Sequence, residues 1–313
     1  MRTTYLQAQA GQPDWRYAGE RAGDKLSELP PKDAPTLLVT GSTGRVGGAL
    51  RAIWTENQVS GLKILWQGRK PVPGVNMVWD IGQNPPVALP KGVIILHLAG
   101  VTKGLPQDLA QNAQVTAAVC AAARAAEAQH VFAMSSAAVY RPSADLIHEE
   151  DATEPVGAYG QSKLEAEAVA NHALSDMGLT LLRLANLAGA DALLGNCGLG
   201  KTLQLDPVPG QARGPERSYI GPHVLAGLLS GLFDLVLRGR ALPRVLNLAE
   251  PGIMTMADLL DARGQAWAFG PPRPAAIARV ALDTKRLQAL VPMAPATPAT
   301  LIADLDRMQG WPQ

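Results

Sequence analysis

Thr40-Gly41-Ser42-Thr43-Gly44-Arg45-Val46-Gly47 lies between an apolar run, Leu37-Leu38-Val39, and an amphipathic segment that begins near Arg45. This order is typical of a strand, a glycine turn and a helix. Because glycine lacks a Cβ, the backbone can turn sharply at Gly41 and Gly44 and approach a pyrophosphate, whose charge the helix amides stabilise. A glycine turn with a purely structural role is the alternative. The stretch predicts a dinucleotide site with contacts from Gly41, Ser42, Thr43, Gly44, Arg45, Val46 and Gly47.

Segments of strand and helix character alternate along the rest of the chain. Strands are predicted at 61–67, 78–81, 93–100, 130–136, 179–184 and 245–248. Helices are predicted at 106–129, 159–174, 222–237, 255–262 and 300–308, and loops at 190–217. The run at 93–100 is almost uniformly apolar, as suits a parallel strand buried on both faces. The alternation predicts an α/β fold with a parallel sheet, whose ligands bind at the carboxyl ends of the strands.

The composition is that of a globular protein and argues against several classes of partner. The 313 residues are 47% hydrophobic and carry 28 Lys and Arg against 27 Asp and Glu, a net charge of +1. In the absence of a basic block, we expect a small-molecule ligand and no nucleic acid. No apolar run is long enough to cross a bilayer, and residues 1–35 lack the apolar core of a signal peptide. We therefore expect no membrane contact and a cytoplasmic location.

No metal site is expected from the sequence. Cys120 and Cys197 lie far apart without metal-ligand spacing, and Cys120 is interpreted as a buried free thiol. The cluster His148-Glu149-Glu150-Asp151 fits a solvated or helix-capping loop better than a metal centre. In residues 1–35, Trp15 and Tyr17 offer anchors for an ordered arm, and a disordered tail is the alternative.

The end of the second predicted strand bears on the choice of cofactor. An acidic residue there would accept the adenosine 2′-hydroxyl of NAD, but the chain has Gln67-Gly68-Arg69-Lys70. Arg69 and Lys70 can pair with a 2′-phosphate. These residues favour NADP(H) over NAD(H), and a solvated basic turn is the alternative.

A phenol and an ammonium lie four residues apart at Tyr159 and Lys163, on one face of a predicted helix. Bringing the pKa of a tyrosine from about 10 to near 7 requires about 4 kcal/mol of differential stabilisation, to which an ammonium and a hydroxyl donor can contribute. Such a tyrosine serves as general acid or base toward a carbinol or carbonyl. Ser135 and Ser136 supply hydroxyls at the carboxyl end of the fifth strand.

The order of glycine turn, Asn112, Ser136, Tyr159 and Lys163 resembles the short-chain dehydrogenase/reductase superfamily. It is more closely similar to the extended group, the NAD-dependent epimerase/dehydratase family, over about residues 36–305. The resemblance implies a Rossmann-type doubly wound parallel sheet with a small, partly discontinuous C-terminal substrate lobe. The expected division is an N-terminal extension at 1–35, an NAD(P)-binding domain at 36–189, and a substrate lobe at 190–313 that includes late sheet elements at about 222–250.

The resemblance also implies roles for single residues. Ser136 would orient substrate, Tyr159 would be the general acid or base, Lys163 would assist it and bind the nicotinamide ribose, and Asn112 would support Lys163 through water. Further cofactor contacts are expected from Asp80, Ile81, Leu98, Ala99, Gly100, Ser135 and Tyr159. Substrate contacts are expected from Thr102, Ala137, Asn186 and Arg217, the last matching an arginine that binds a nucleotide-sugar diphosphate.

Several positions depart from the family pattern. Family dehydratases carry an Asp-Glu pair where this chain has Ala137 and Ala138, so 4,6-dehydration is not expected. Val224 stands where an aspartate is usual, and the stretch between Gly189 and Arg217 is short for a nucleotide-sugar lobe. Both features count against a nucleotide sugar as substrate.

Three hypotheses follow. The first is an NAD(P)-dependent oxidoreductase that transfers hydride at a substrate carbinol or carbonyl. The second is a nucleotide-sugar epimerase that retains its NAD, and the third is a dinucleotide-binding regulatory protein without catalysis. Family members often dimerise through the two helices that correspond to 106–129 and 159–174, so a homodimer is also expected.

Overall fold

The structure is a computed structural model that describes residues 34–54, 59, 61–85, 88–198, 200–273, 276–308 and 311. Nearly all of the expected N-terminal extension, including the anchors Trp15 and Tyr17, lies outside the described residues. The expected division into domains stays a prediction.

Seven parallel strands form the main sheet, in the order β11-β6-β5-β4-β1-β2-β3. They are β1 (Thr36–Thr40), β2 (Lys63–Gly68), β3 (Met77–Val78), β4 (Ile94–His97), β5 (His130–Ser136), β6 (Leu179–Leu184) and β11 (Val245–Leu248). The chain runs outward from β1 in one direction through β2 and β3, and in the other through β4, β5 and β6. The strand order reverses between β1 and β4, which is where open parallel sheets bind ligands. The predicted Rossmann-type fold is confirmed.

Helices cover both faces of the sheet, because alternate residues of each strand point to opposite sides. Leu37 and Val39 of β1 pack in one core with Phe233 of the α5 helix, whereas Leu38 packs in the other with Val119 of α3. The longer helices are α1 (Arg45–Ile53), α3 (Gln111–Ala125), α4 (Ala158–Ala173) and α5 (Pro222–Leu237). The shorter ones are α2 (Pro106–Leu109), α6 (Met256–Ala262), α7 (Lys285–Leu290) and α8 (Pro298–Asp306).

Small sheets formed by the chain after β6 pack beside the carboxyl edge of the main sheet. Their strands are β7 (Asn186–Leu187), β8 (Leu203–Leu205), β9 (Glu216–Arg217), β10 (Tyr219–Ile220), β12 (Met254–Thr255), β13 (Trp267–Phe269) and β14 (Arg279–Val280). The stretch 190–217 was expected to be loops, but it contributes β8 and β9. These strands pair with β13 and β14, which lie more than 60 residues later.

Two predicted elements are corrected. The helix expected at 106–129 consists of α2 and α3, and it ends at Ala125 because Glu127 adopts a left-handed φ of 45°. The Ala128 N–H then donates to Ala123 O, an arrangement that closes a helix end. The third strand is shorter than expected, since Ile81 forms only an isolated bridge with Gln83.

Both cysteines are free thiols. Cys120 is free and buried on α3, and burial raises the pKa of its thiol to about 11. Cys197 is free and half-buried. Among the described residues, no helix combines the length and apolar character needed to span a bilayer, and no three acidic, His or Cys side chains converge as metal ligands would.

Candidate active site

The glycine turn after β1 packs directly against the end of β4. Gly41 has φ of 68°, and a Cβ built on it would lie 2.5 Å from Ala99 N. A Cβ on Gly47 would lie 2.5 Å from Gly41 O. Because α1 begins at Arg45, the N–H groups of its first turn have no carbonyl partner within the helix. The turn therefore forms a close-fitting cradle whose amides can receive a pyrophosphate.

Gln67 holds this turn in place, a role that the sequence did not reveal. Its Oε1 accepts from Gly41 N at 2.8 Å, its Nε2 donates to Trp79 O at 2.5 Å, and its carbonyl accepts from Ser42 N at 3.0 Å. The first two amides of the turn are thus bonded to β2. The N–H groups that can bind a phosphate are therefore those of the first turn of α1. The sequence alone does not distinguish a buried glutamine at a strand end from an exposed one.

The adenosine part of the cofactor is expected at a cleft of about 510 Å³, which is lined by Thr43, Arg69, Lys70, Val72 and Asp80. The structure therefore brings together the basic pair and the acidic residue that the sequence analysis singled out. A Cβ on Gly68 would lie 3.0 Å from Val75 Cγ2 and 3.2 Å from Thr43 Cγ2, whereas the side chain of Gln67 points beneath the turn. Position 68 therefore lies beside Thr43, one of the residues that line the cleft.

His97 is a buried, hydrogen-bonded residue at the end of β4. Its Nδ1 lies 2.8 Å from Thr40 Oγ1 and its Nε2 lies 3.2 Å from Thr116 Oγ1. Burial, helped by the nearby charge of Lys163, lowers the pKa of His97 to about 3. The imidazole is therefore neutral and joins β1, β4 and α3 directly behind Leu98, Ala99 and Gly100.

Asn112 links the segment after β4 to helix α4. Its Oδ1 accepts from Val101 N at 2.7 Å, and its Nδ2 donates to Val101 O at 2.9 Å and to Ser162 Oγ at 3.0 Å. A Cβ on Gly100 would lie 2.7 Å from Asn112 Oδ1 and 4.0 Å from Lys163 Nζ. The Asn112 side chain is thus bonded to protein, and its support of Lys163 through water stays a prediction.

Tyr159 and Ser136 meet between α4 and the end of β5. The Ser136 hydroxyl lies close enough to Tyr159 to act on the pKa of the phenol, and Ser136 Oγ accepts from Ala138 N at 3.1 Å. Burial raises the pKa of Tyr159, and the Ser136 hydroxyl opposes that rise only in part. The sequence argument expected Lys163 to lower this pKa toward 7. The structure corrects that expectation, because desolvation destabilises the phenolate more than the neighbouring groups stabilise it.

Gly160 allows this approach of Tyr159 to Ser136, and no sequence signal points to its role. A Cβ on Gly160 would overlap Ala138 O and would lie 2.8 Å from Pro155 Cβ. Only a residue without a side chain lets the first turn of α4 lie on the short 3₁₀ helix Ala137–Val139. The close contact places Tyr159 beside Ser136.

Lys163 lies one turn further along α4 and is half-buried. Burial lowers the pKa of its ammonium to about 8, while the carboxylate of Glu167 acts in the opposite direction. Its charge influences His97, so the two side chains lie close together behind the end of β4. Ser135 Oγ and Ser42 Oγ are buried in this region and have no hydrogen-bond partner in the described part of the chain.

The expected substrate residues are spread over several segments. Thr102 is exposed after β4, Ala137 is half-buried, and Asn186 is half-buried on β7. The guanidinium of Arg217 donates to the carbonyls of Glu216 at 2.7 Å, Ile277 at 2.7 Å and Ala278 at 3.3 Å. Arg217 is thus held by backbone around β9 and β14, and its diphosphate contact stays a prediction.

Arg45 faces the C-terminal region. Its Nη1 donates to Ala190 O at 2.7 Å, so the side chain joins the start of α1 to the segment after β7. The expected contact between Arg45 and the cofactor would then come from its backbone N–H. The glycine cradle, the first-turn amides and the cleft beside Arg69 together fit a dinucleotide.

Comparisons with known proteins agree with this geometry. Residues 88–196 match the model of the NAD dependent epimerase/dehydratase family. No curated protein matches the chain by sequence.

Solved structures share the fold at low identity. A UDP-glucose-4-epimerase from Stenotrophomonas maltophila with bound NAD and formylated UDP-arabinopyranose has a TM-score of 0.71 and 19% identity, covering 88% of this chain and 98% of that one. MoeE5 in complex with UDP-glucuronic acid and NAD has a TM-score of 0.67 and 20% identity, covering 87% and 99%. DesIV, a dTDP-glucose 4,6-dehydratase from Streptomyces venezuelae with NAD and TYD bound, has a TM-score of 0.66 and 19% identity, covering 88% and 98%.

Proposed function

We propose that this chain is an NAD(P)-dependent enzyme that transfers hydride at a carbinol or carbonyl carbon. The premise is that residues 88–196 match the model of the NAD-dependent epimerase/dehydratase family. The observation that carries the proposal is the placement of the Tyr159 phenol beside the Ser136 hydroxyl, where the carboxyl edge of the sheet meets α4. Lys163 lies one turn away on the same helix. The three side chains provide a proton donor or acceptor, a second hydrogen-bonding hydroxyl and a cation.

A bound nicotinamide supplies or accepts the hydride. Ser136 Oγ then holds the substrate oxygen, and Tyr159 gives a proton to that oxygen when a carbonyl is reduced, or takes it when a carbinol is oxidised. Because burial keeps Tyr159 protonated at neutral pH, the phenol is suited to the reductive direction. Lys163 stabilises the phenolate that remains and binds the nicotinamide ribose.

The cleft beside the glycine turn favours NADP(H). Arg69 and Lys70 line it together with Thr43, and two cations can neutralise a 2′-phosphate. Gly68 supplies no carboxylate at the position from which an acidic residue would accept the 2′-hydroxyl of NAD. The NAD bound in similar solved structures belongs to those proteins, at about one-fifth identity.

Gly68→Asp is expected to reverse the cofactor preference. A carboxylate at this position would repel the 2′-phosphate and accept the 2′-hydroxyl, so NADPH affinity should fall at least about 10-fold and NADH affinity should rise. Fluorescence titration of both nucleotides measures the change. Leu146→Asp is the control, since it adds a carboxylate to an exposed site outside the cleft. An unchanged ratio of the two affinities would contradict the assignment.

A nucleotide-sugar epimerase with retained NAD is the second candidate. Solved structures with this fold hold UDP-sugars and NAD. By the family resemblance, Arg217 matches an arginine that binds a nucleotide-sugar diphosphate. Ala137 and Ala138 carry no acid or base, so 4,6-dehydration stays disfavoured although DesIV shares the fold. A regulatory role without catalysis would be supported if Tyr159→Phe left the cellular function unchanged.

Mass spectrometry of nucleotide released on denaturation separates the first two candidates. Tightly retained NAD would support the epimerase and direct substrate tests to nucleotide sugars. Protein that carries no nucleotide and oxidises NADPH in the presence of small carbonyl compounds would support the reductase. Retained NAD without turnover of any nucleotide sugar or carbonyl would contradict both.

The expected homodimer and the cytoplasmic location stay predictions. Helices α3 and α4 pack side by side over one face of the sheet, as a dimer through these helices would need. Light scattering that shows only monomer at high protein concentration would contradict the dimer.

A further inference from the structure

A buried ion pair lies beneath the reaction centre. Arg183, near the end of β6, donates from Nε to Glu167 Oε1 at 3.0 Å and from Nη2 to Glu167 Oε2 at 2.8 Å. Both side chains are nearly inaccessible to water, at 7% and 4% exposure. Glu167 follows Lys163 by four residues, so the two side chains lie on the same face of α4. The ion pair is therefore in contact with the helix that carries Tyr159 and Lys163.

Arg183 also reaches the segment that carries Ser136. Its Nη1 donates to Glu149 O at 3.2 Å, and its Cζ lies 4.6 Å from the centroid of the Tyr140 ring. Tyr140 directly follows the short 3₁₀ helix that begins after Ser136. The Arg183 guanidinium thus connects the helix that carries Tyr159 to the segment that carries Ser136.

Asn247 on β11 completes this connection. The Tyr140 hydroxyl donates to Asn247 Oδ1 at 2.8 Å, and Asn247 N donates to Glu149 Oε1 at 3.0 Å. Asn247 is fully buried. The groups that receive Arg183 are therefore fixed in turn, and a fully bonded buried network of this kind is rigid.

We propose that Glu167 and Arg183 are positioning residues for the reaction centre: Glu167 keeps Lys163 charged, and Arg183 holds the Ser136–Tyr140 segment against the helix of Tyr159. The catalytic meaning of this proposal rests on the proposed function. The arrangement itself, in which the carboxylate of Glu167 lies one turn from Lys163 and also binds Arg183, does not depend on that function.

The groups around Lys163 support this role for Glu167. The neutral His97 of β4 lies close enough to respond to the charge of Lys163, and Glu167 of α4 acts on Lys163 in turn. Tyr159 lies four residues before Lys163 on α4. Arg183 of β6 lies beyond Glu167. Burial lowers the pKa of Lys163, and Glu167 is the group that counteracts it. Glutamine at position 167 would keep an acceptor for Arg183 but would remove the negative charge, so the pKa of Lys163 would fall further.

The decisive experiment titrates Lys163 in Glu167→Gln. The full chain is labelled with ¹³C at lysine Cε, and Lys163→Arg identifies the signal by its loss. Glu165→Gln is the control, because it makes the same change two residues away on α4, where Glu165 is exposed and bonded to Gln161. We expect the midpoint for Lys163 to fall by at least about 0.5 pH unit in Glu167→Gln and to stay in place in Glu165→Gln. Equal midpoints in wild type and Glu167→Gln would overturn the charge role.

Arg183→Lys tests the second half of the proposal. It keeps the charge but loses the two-pronged contact, so fold disruption is less severe than with an apolar residue. We expect turnover with the best carbonyl substrate to fall at least about 10-fold while NADPH affinity stays within about two-fold. Unchanged turnover, or a parallel loss of NADPH affinity, would overturn the positioning role. If wild type bound neither NADPH nor NADH, the proposed function would fail, and the lysine titration would still decide whether Glu167 sets the charge of Lys163.

Discussion

Tyr159→Phe is expected to lower turnover by about 10²- to 10⁴-fold, the usual contribution of a positioned general acid or base. Phenylalanine preserves the ring, so helix α4 keeps its packing while the proton donor is lost. NADPH affinity should stay within about two-fold, because the phenol hydroxyl faces Ser136 rather than the glycine cradle. Steady-state oxidation of NADPH with the best carbonyl substrate, beside a fluorescence titration, measures both quantities.

Ser136→Ala provides the companion variant. It removes the other hydroxyl of the pair and should also reduce turnover strongly, by about 10²-fold. Ser143→Ala is its control, since Ser143 makes a local bond to Asp145 N at 3.0 Å in the loop that follows Tyr140. If Tyr159→Phe retained turnover within about three-fold of wild type, Tyr159 would not be the acid.

Gly160→Ala should have the second large effect. The added methyl would overlap Ala138 O, and a backbone carbonyl can yield only if α4 moves away from the Ala137–Val139 helix. Tyr159 would move away from Ser136, and a misplacement of about 1 Å can cost about 10²-fold in rate. Overpacking of this kind also lowers the free energy of unfolding, by about 1–3 kcal/mol.

Gly157→Ala is the matched control for this variant. It makes the same change three residues earlier, where an added Cβ has no heavy atom within 4 Å. Kinetics and chemical denaturation should show that Gly157→Ala stays near wild type in turnover. Equal turnover of Gly160→Ala and Gly157→Ala would contradict the close approach of α4 to Ala138.

Long buried elements could be predicted from the sequence. The structure places β5 at His130–Ser136, β6 at Leu179–Leu184, α5 at Pro222–Leu237 and β11 at Val245–Leu248, the same bounds that the sequence indicated. Each is a continuous apolar or periodic run with clear end signals, so local sequence and tertiary burial favour the same structure. The turn after β1 and the start of α1 at Arg45 followed from glycine geometry in the same way.

Short elements and tertiary roles could not be predicted. Strands β13 and β14 contain three and two residues, and they form because β8 and β9 offer edges more than 60 residues earlier. Gln67 accepts from an amide 26 residues away. Only the fold decides such partners, because the identity of one residue in a sequence does not indicate which distant residue it will contact.

The site shows the same limit. Arg183 lies near the end of the largely apolar strand β6, and its partner Glu167 comes from the preceding helix, a pairing that only the fold decides. The sequence indicated a tyrosine and a lysine on one helix face, but it could not weigh burial against charge. The pKa of Tyr159 is raised because that balance depends on how much water reaches the phenol.

Titration of nucleotide-stripped protein with NADPH and NADH tests the central claim most directly. The account predicts saturable binding of at least one of them, with NADPH preferred, and it predicts that Arg69→Gln weakens NADPH without weakening NADH. If neither nucleotide bound, the glycine turn after β1 would be only structural, and neither hydride-transfer function would remain.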